Sequence, residues 1–175
     1  MNYLKEFIIS FSGLTIGHHD FDFDISDKFF ACFEDSEITT GQVKVLIHME
    51  KQERMLVFTF TINGEVEVMC DRCSGLFNQR IDGEEVLIFK FGDEYFEESE
   101  DVVVIPRNEH HVDVSSYIYE FINLLVPYHR VHPDDEEGKS GCDPVVLKKL
   151  EELSPKHHHD KIWDALEGLK FDTTD

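Results

Sequence analysis

Over residues 41–70 apolar side chains return at every second position. Only an extended strand can use that rhythm, because its successive side chains point to opposite faces. Val43, Val45, Ile47 and Met49 alternate with Gln42, Lys44, Leu46 and His48. Lys51-Gln52-Glu53-Arg54 reads as a polar turn, after which Leu56, Phe58, Phe60 and Ile62 share one face. Asn63-Gly64 then carries the signature of a two-residue type I′ hairpin, whose central positions both need positive φ. Glu65-Val66-Glu67-Val68-Met69-Cys70 alternates again. The expectation is a three-stranded antiparallel meander whose last strand ends at Cys70.

The flanks add smaller elements. Phe7-Ile8-Ile9 predicts a strand near the start of the chain, and His18-His19-Asp20-Phe21-Asp22-Phe23-Asp24-Ile25 predicts another, with Phe21, Phe23 and Ile25 facing inward. Asp27 can cap a short helix reaching Phe33, within which Cys32 reads as a small core residue. A strand follows over 85–91. Residues 93–101 hold six acids and no base and predict an exposed loop, and 102–105 form a strand closed by Pro106. Asp113 opens a helix over about 114–126, with Tyr117, Ile118, Phe121, Leu124 and Leu125 as its apolar stripe and Pro127 after its end. Residues 128–142, rich in His, acids and Gly, predict a loop. Asp143-Pro144 has the chemistry of a helix start, and that helix runs to Leu153. Beyond Ser154-Pro155, Ile162, Trp163, Leu166 and Leu169 give a last helix over 160–169. The sum is a single α+β domain over 1–175, an antiparallel sheet or partly open barrel with helices in its C-terminal part (143–175), the last two loosely packed.

Charge narrows the function classes. The formal net charge is −21, and acids outnumber bases in both halves of the chain. Direct phosphate binding draws its affinity from clustered Lys and Arg, and no such cluster stands out. An acidic surface favours solubility and basic partners. No apolar run is long enough to span a bilayer, and the N-terminus lacks the pattern of a signal peptide, so a cytoplasmic protein without membrane contact is expected. Thiols stay reduced there, which points cysteines toward metal or catalytic chemistry rather than disulfides. No phosphate loop, nucleophile elbow or H-E-x-x-H is present, and no catalytic residue is assigned.

The chemistry concentrates at Cys70-Asp71-Arg72-Cys73. Two cysteines at this spacing can face one ion across a turn, with Gly75 allowing a tight fold and Arg72 offsetting thiolate charge. Three readings stay open: a structural metal, a dithiol redox pair, or plain reduced thiols. The antiparallel context speaks against the redox pair, which belongs at a helix N-terminus in a βαβ unit. A structural zinc needs four ligands. Cys142 offers a third thiol, and His129, His132, His110 and His111 offer nitrogens; a set of Cys70, Cys73, His132 and Cys142 would be chemically ordinary. His18-His19 and His110-His111 read as surface histidines.

The C-D-R-C motif, approached through Asn63-Gly64-Glu65-Val66-Glu67-Val68-Met69, resembles the YceD family of large ribosomal RNA accumulation proteins. Leu124-Leu125-Val126-Pro127, the His129-to-His132 stretch with Cys142, and the ending around Asp160, Trp163 and Leu166 follow in the family's order over about residues 37–170. Lys161-Ile162 departs from the Pro-Arg of the usual ending, and one Cys plus His replaces the two Cys of many relatives. The resemblance implies His132 and Cys142 as the second half-site, with His129 as alternate. It also implies a non-enzymatic role in 23S ribosomal RNA synthesis, processing or accumulation. With the charge, it suggests that RNA is affected indirectly, through a basic ribosomal protein or a processing factor. A metal- or thiol-dependent enzyme and a direct nucleic-acid-binding module remain as alternatives.

Overall fold

A computed structural model describes residues 3–154 apart from 35 and 136. The helix expected over 160–169, with Asp160, Trp163 and Leu166, lies outside the described residues. A 3-10 helix (Tyr3–Phe7) leads into β1 (Ile8–Ser10), and β2 (Gly17–Ile25) and the one-turn helix α1 (Asp27–Phe30) follow. Three long strands come next: β3 (Gly41–Lys51), β4 (Met55–Met69) and β5 (Leu76–Gly92). The rest comprises β6 (Phe96–Ser99), β7 (Val102–Pro106), β8 (His111–Asp113), α2 (Ser115–Leu125) and α3 (Pro144–Leu153). A six-stranded sheet runs in the order β2-β3-β4-β5-β7-β6, and β1 pairs separately with β8.

The class is α+β, and of the two expected forms the open sheet is found, with one correction. It is open, with β2 and β6 at its edges, and it is mixed: β7 lies parallel to β5 while every other neighbouring pair is antiparallel. The acidic segment explains the mixed pairing. Residues 96–99 form a strand rather than the expected loop, with all four residues exposed. Beside it, Val103, Val104 and Ile105 of β7 are buried. The apolar strand takes the interior slot next to β5, and the charged one takes the edge, where charge discourages pairing with another chain.

Asn63-Gly64 is not a turn. Strand β4 passes straight through it, Asn63 pairing with Lys44 and Asp82, and Gly64 with Val43 and Ile81. Glycine is needed there for proximity: a Cβ on Gly64 would run into the carbonyl oxygen of Gln42 and stand 2.6 Å from Val43 Cα. Val43, Val45, Ile47 and Met49 do face the core, with Leu56, Phe58, Phe60, Ile62, Val66 and Val68 of β4.

Helix α2 covers this inner face. Phe121 meets Phe60 edge-on at 5.1 Å, and Ile118 and Ile122 are fully buried. The stripe is rotated from expectation, since Leu124 is exposed and Ile122 takes its place. Phe7 bridges the edge of the core, 4.9 Å from Phe29 and 5.2 Å from Phe23. Helix α1 stops at Phe30, short of Phe33, and Asp27 does not cap it; its Oδ1 instead accepts the Gly41 N–H at 3.0 Å, tying α1 to β3. Because the helix stops early, Cys32 is exposed rather than in the core, its thiol donating to the Lys28 carbonyl. Asp143 caps α3 as expected through the Val145 N–H at 2.8 Å, and no residue of α3 is buried. Among the described residues no helix is long and apolar enough to cross a membrane.

Candidate metal centre

Cys70 stands where β4 gives out and the chain must reverse into β5. The reversal is closed by two backbone bonds: Ser74 N–H donates to the Cys70 carbonyl and Cys70 N–H to the Gly75 carbonyl, each at 2.9 Å. The left-handed position falls on Ser74, with φ of 58°, not on Gly75. Gly75 is small for another reason, because a Cβ there would press to 3.3 Å on His132 Cε1 and 3.5 Å on Cys73 Sγ. The Arg72 backbone N–H points at Cys70 Sγ at 3.4 Å, so a turn amide donates to the sulfur.

The second half-site comes from the loop after α2. Pro127 follows the helix, and the chain docks on the turn through paired contacts: Asp71 N–H donates to the Arg130 carbonyl and Arg130 N–H to Asp71 Oδ2, both at 2.7 Å. Arg130 also reaches Glu37 at 3.1 Å. With residue 130 pinned, His129 and His132 part ways. His129 lies out in solvent, its Nδ1 3.7 Å from Asp71 Oδ2. The His132 ring turns in against Phe77, centroids 4.7 Å apart. The loop then closes through Gly141 N–H on the Pro133 carbonyl at 3.2 Å and delivers Cys142.

The structure thus brings together Cys70, Cys73, His132 and Cys142, whose ligand atoms all lie within 4.8 Å of one another. Cys70 and Cys142 are buried, Cys73 half-buried. A tetrahedral zinc with bonds of about 2.3 Å to sulfur and 2.05 Å to nitrogen requires edges of roughly 3.8 Å between sulfurs and 3.6 Å between sulfur and nitrogen. The separations are 3.7 Å for Cys70 to Cys142, 3.4 Å for Cys73 to His132 Nδ1 and 3.7 Å for Cys142 to His132 Nδ1. These three edges lie within about 0.2 Å of the tetrahedral values, and the whole set is within 4.8 Å, compatible with one ion. His129 lies apart from the set, as do His110 and His111, exposed beside and on β8, and His18 and His19 on β2.

The electrostatics suit a cation. Burial opposes ionisation of Cys70, but backbone N–H groups at Cys73, His132 and Arg72, with the His132 ring, outweigh it and lower the thiol to about 5. At Cys142 the Ser140 hydroxyl favours the thiolate, yet burial and the neighbouring thiols of Cys70 and Cys73 push its pKa up. One thiolate thus forms readily in the cluster, and a second meets its repulsion until a cation neutralises it.

The residue that sequence reasoning undervalued is Asp71, the anchor of the loop; the only signal was its place inside the motif. Asp71→Ala is expected to cost about 1 kcal/mol by leaving the Arg130 N–H without its acceptor. Faster amide exchange at Arg130 and His132 than at β4 would check it.

Residues 58–170 match the family model described as "Large ribosomal RNA subunit accumulation protein YceD". The match takes in all four cluster residues and begins within β4, later than the sequence resemblance suggested. No curated protein and no solved structure matches the chain.

Proposed function

This chain belongs to the YceD family, and from that membership we propose a non-enzymatic ribosome-biogenesis factor, acting in 23S ribosomal RNA synthesis, processing or accumulation, with one structural zinc ion in its thiol–imidazole cluster. The observation that carries the reading is the convergence of Cys70, Cys73, His132 and Cys142 inside the matched stretch. Cys70 and Cys142 are 72 positions apart in the chain, yet their sulfurs are 3.7 Å apart. Four protein ligands complete a tetrahedron and leave no position for the water or substrate of a catalytic zinc. Zinc would supply Lewis-acid binding energy, and the chain spends it on holding the 128–142 loop against the end of the meander.

The charge shapes the rest of the proposal. At −21 the chain is unsuited to direct phosphate contact and suited to a basic partner, a ribosomal protein or an rRNA-processing factor, in the cytoplasm. The test is capture of partners by the tagged chain from its host, with and without nuclease. Retention of a basic ribosomal protein or processing factor after RNA digestion is expected, together with less 23S relative to 16S RNA in cells lacking the gene. Partners lost on digestion, or purified protein that binds RNA with a steep salt dependence, would overturn the indirect route.

A further inference from the structure

The outward face of the sheet carries a second imidazole cluster, remote in sequence from the thiols and outside the family match. On β2 the outward positions are His18, Asp20, Asp22 and Asp24, opposite in alternation to Phe21, Phe23 and Ile25. On β3 they include Lys44, Leu46 and His48. The register sets Asp20 across from His48 and His18 across from Glu50, so His48 has Asp20 directly opposite and His18 on the diagonal. His48 Nδ1 lies 2.6 Å from Asp20 Oδ1, and His48 Nε2 lies 3.1 Å from His18 Nδ1. The two rings are stacked, centroids 5.0 Å apart and planes 24° apart. The Glu50 carboxylate accepts from Gln52 Nε2 at 2.9 Å.

This is how a ligating histidine is built. A carboxylate on one ring nitrogen fixes the tautomer and raises the basicity of the other. With the His48 ring proton on Nδ1 and donated to Asp20, the Nε2 lone pair faces His18. Two ring nitrogens 3.1 Å apart match the bite of a single cation. With metal–nitrogen bonds of about 2.05 Å the angle at the metal is roughly 98°, between octahedral and tetrahedral values. Asp22 and Asp24 continue the outward row and add a negative field, with Lys44 across from Asp24 in the register.

We propose that His18 and His48 form a two-imidazole chelate for a divalent transition cation, with Asp20 as the positioning residue, on the face of the sheet away from the core. Imidazole donors select nickel, copper or zinc over magnesium and calcium. Half of the His48 side chain and two-thirds of Asp20 are exposed, so the remaining coordination positions open to water or to a partner's side chains.

Nickel is the probe, being paramagnetic and unable to oxidise thiols. The full chain, purified in zinc-containing medium and carrying His157→Ala, His158→Ala and His159→Ala to remove a competing run, is titrated with Ni2+ and followed by amide NMR. Signals around residues 18, 20 and 48 are expected to broaden first, at sub-equimolar metal. His48→Gln abolishes the effect with the remaining spectrum intact, Asp20→Asn weakens binding about tenfold, and excess Mg2+ leaves it unchanged. No broadening at equimolar Ni2+ would overturn the proposal and leave only a hydrogen-bonded ring pair. Broadening centred on β8 or the thiol cluster, or retained in His48→Gln, would overturn it as well.

Discussion

Stripping zinc from the loaded chain with a strong chelator is expected to lower its melting temperature by roughly 5–16 °C. An ion that binds only the folded state at about 100 to 1,000 times its dissociation constant adds about 2.7–4.1 kcal/mol, and in a chain of this size each kcal/mol moves the midpoint by about 2–4 °C. The effect should be large but should not abolish folding. The core of Phe58, Phe60, Ile62, Ile118 and Ile122 is assembled without the cluster, so the metal clips a loop to a sheet that already has its own reason to fold. Cys70→Ser should reproduce the loss and make the protein insensitive to chelator, with elemental analysis falling from one zinc per chain to none. Identical melting of wild type and Cys70→Ser, with and without chelator, would remove the structural role. Zinc bound with a coordinated water would instead point to catalysis.

The sequence was most informative where side-chain parity was under strong selection by the core. The alternations of β2, β3 and β4 could be read to the residue, because each exchange of faces would bury Asp, Lys or Glu. The same logic should have vetoed the hairpin. A two-residue turn at Asn63-Gly64 pairs Ile62 with Glu65, which puts Val66 and Val68 on the face opposite Phe58, Phe60 and Ile62. An unbroken strand keeps all of them on one face, and they are all buried there. The local turn signal was real but weaker than burial of the strand's far end.

At the cluster, Cys-x-x-Cys was legible from spacing, and Cys142 and the two histidines from their residue types. The choice between His129 and His132 was not, because it depends on Asp71 gripping residue 130 from a turn some 60 positions away. The strand character of 96–99 was hidden for a similar reason: it comes from the apolar neighbour that the acidic segment borders, not from its own residues.

Gly64→Ala separates the two accounts of residues 63 and 64, and it is expected to cost about 3 kcal/mol, the upper part of the usual range for overpacking. At a hairpin tip the added methyl would project into solvent, and the penalty would be that of a strained φ, on the order of 1 kcal/mol. In mid-strand the methyl meets backbone, the Gln42 carbonyl and Val43 Cα, and no rotamer change can move either atom. Relief requires β3 and β4 to separate where Val43 and Val45 enter the core, which exposes apolar surface on both strands. The melting temperature should fall by roughly 6–12 °C. Asn63→Thr gives the opposite contrast. A type I′ turn would lose its preferred first residue, whereas an exposed strand position gains a β-branched side chain in place of the Asn63 bond to Asp82, so little net change is expected. A mild Gly64→Ala with a damaging Asn63→Thr would restore the turn and dismantle the long β4, and with it the strand that carries Cys70 to the cluster.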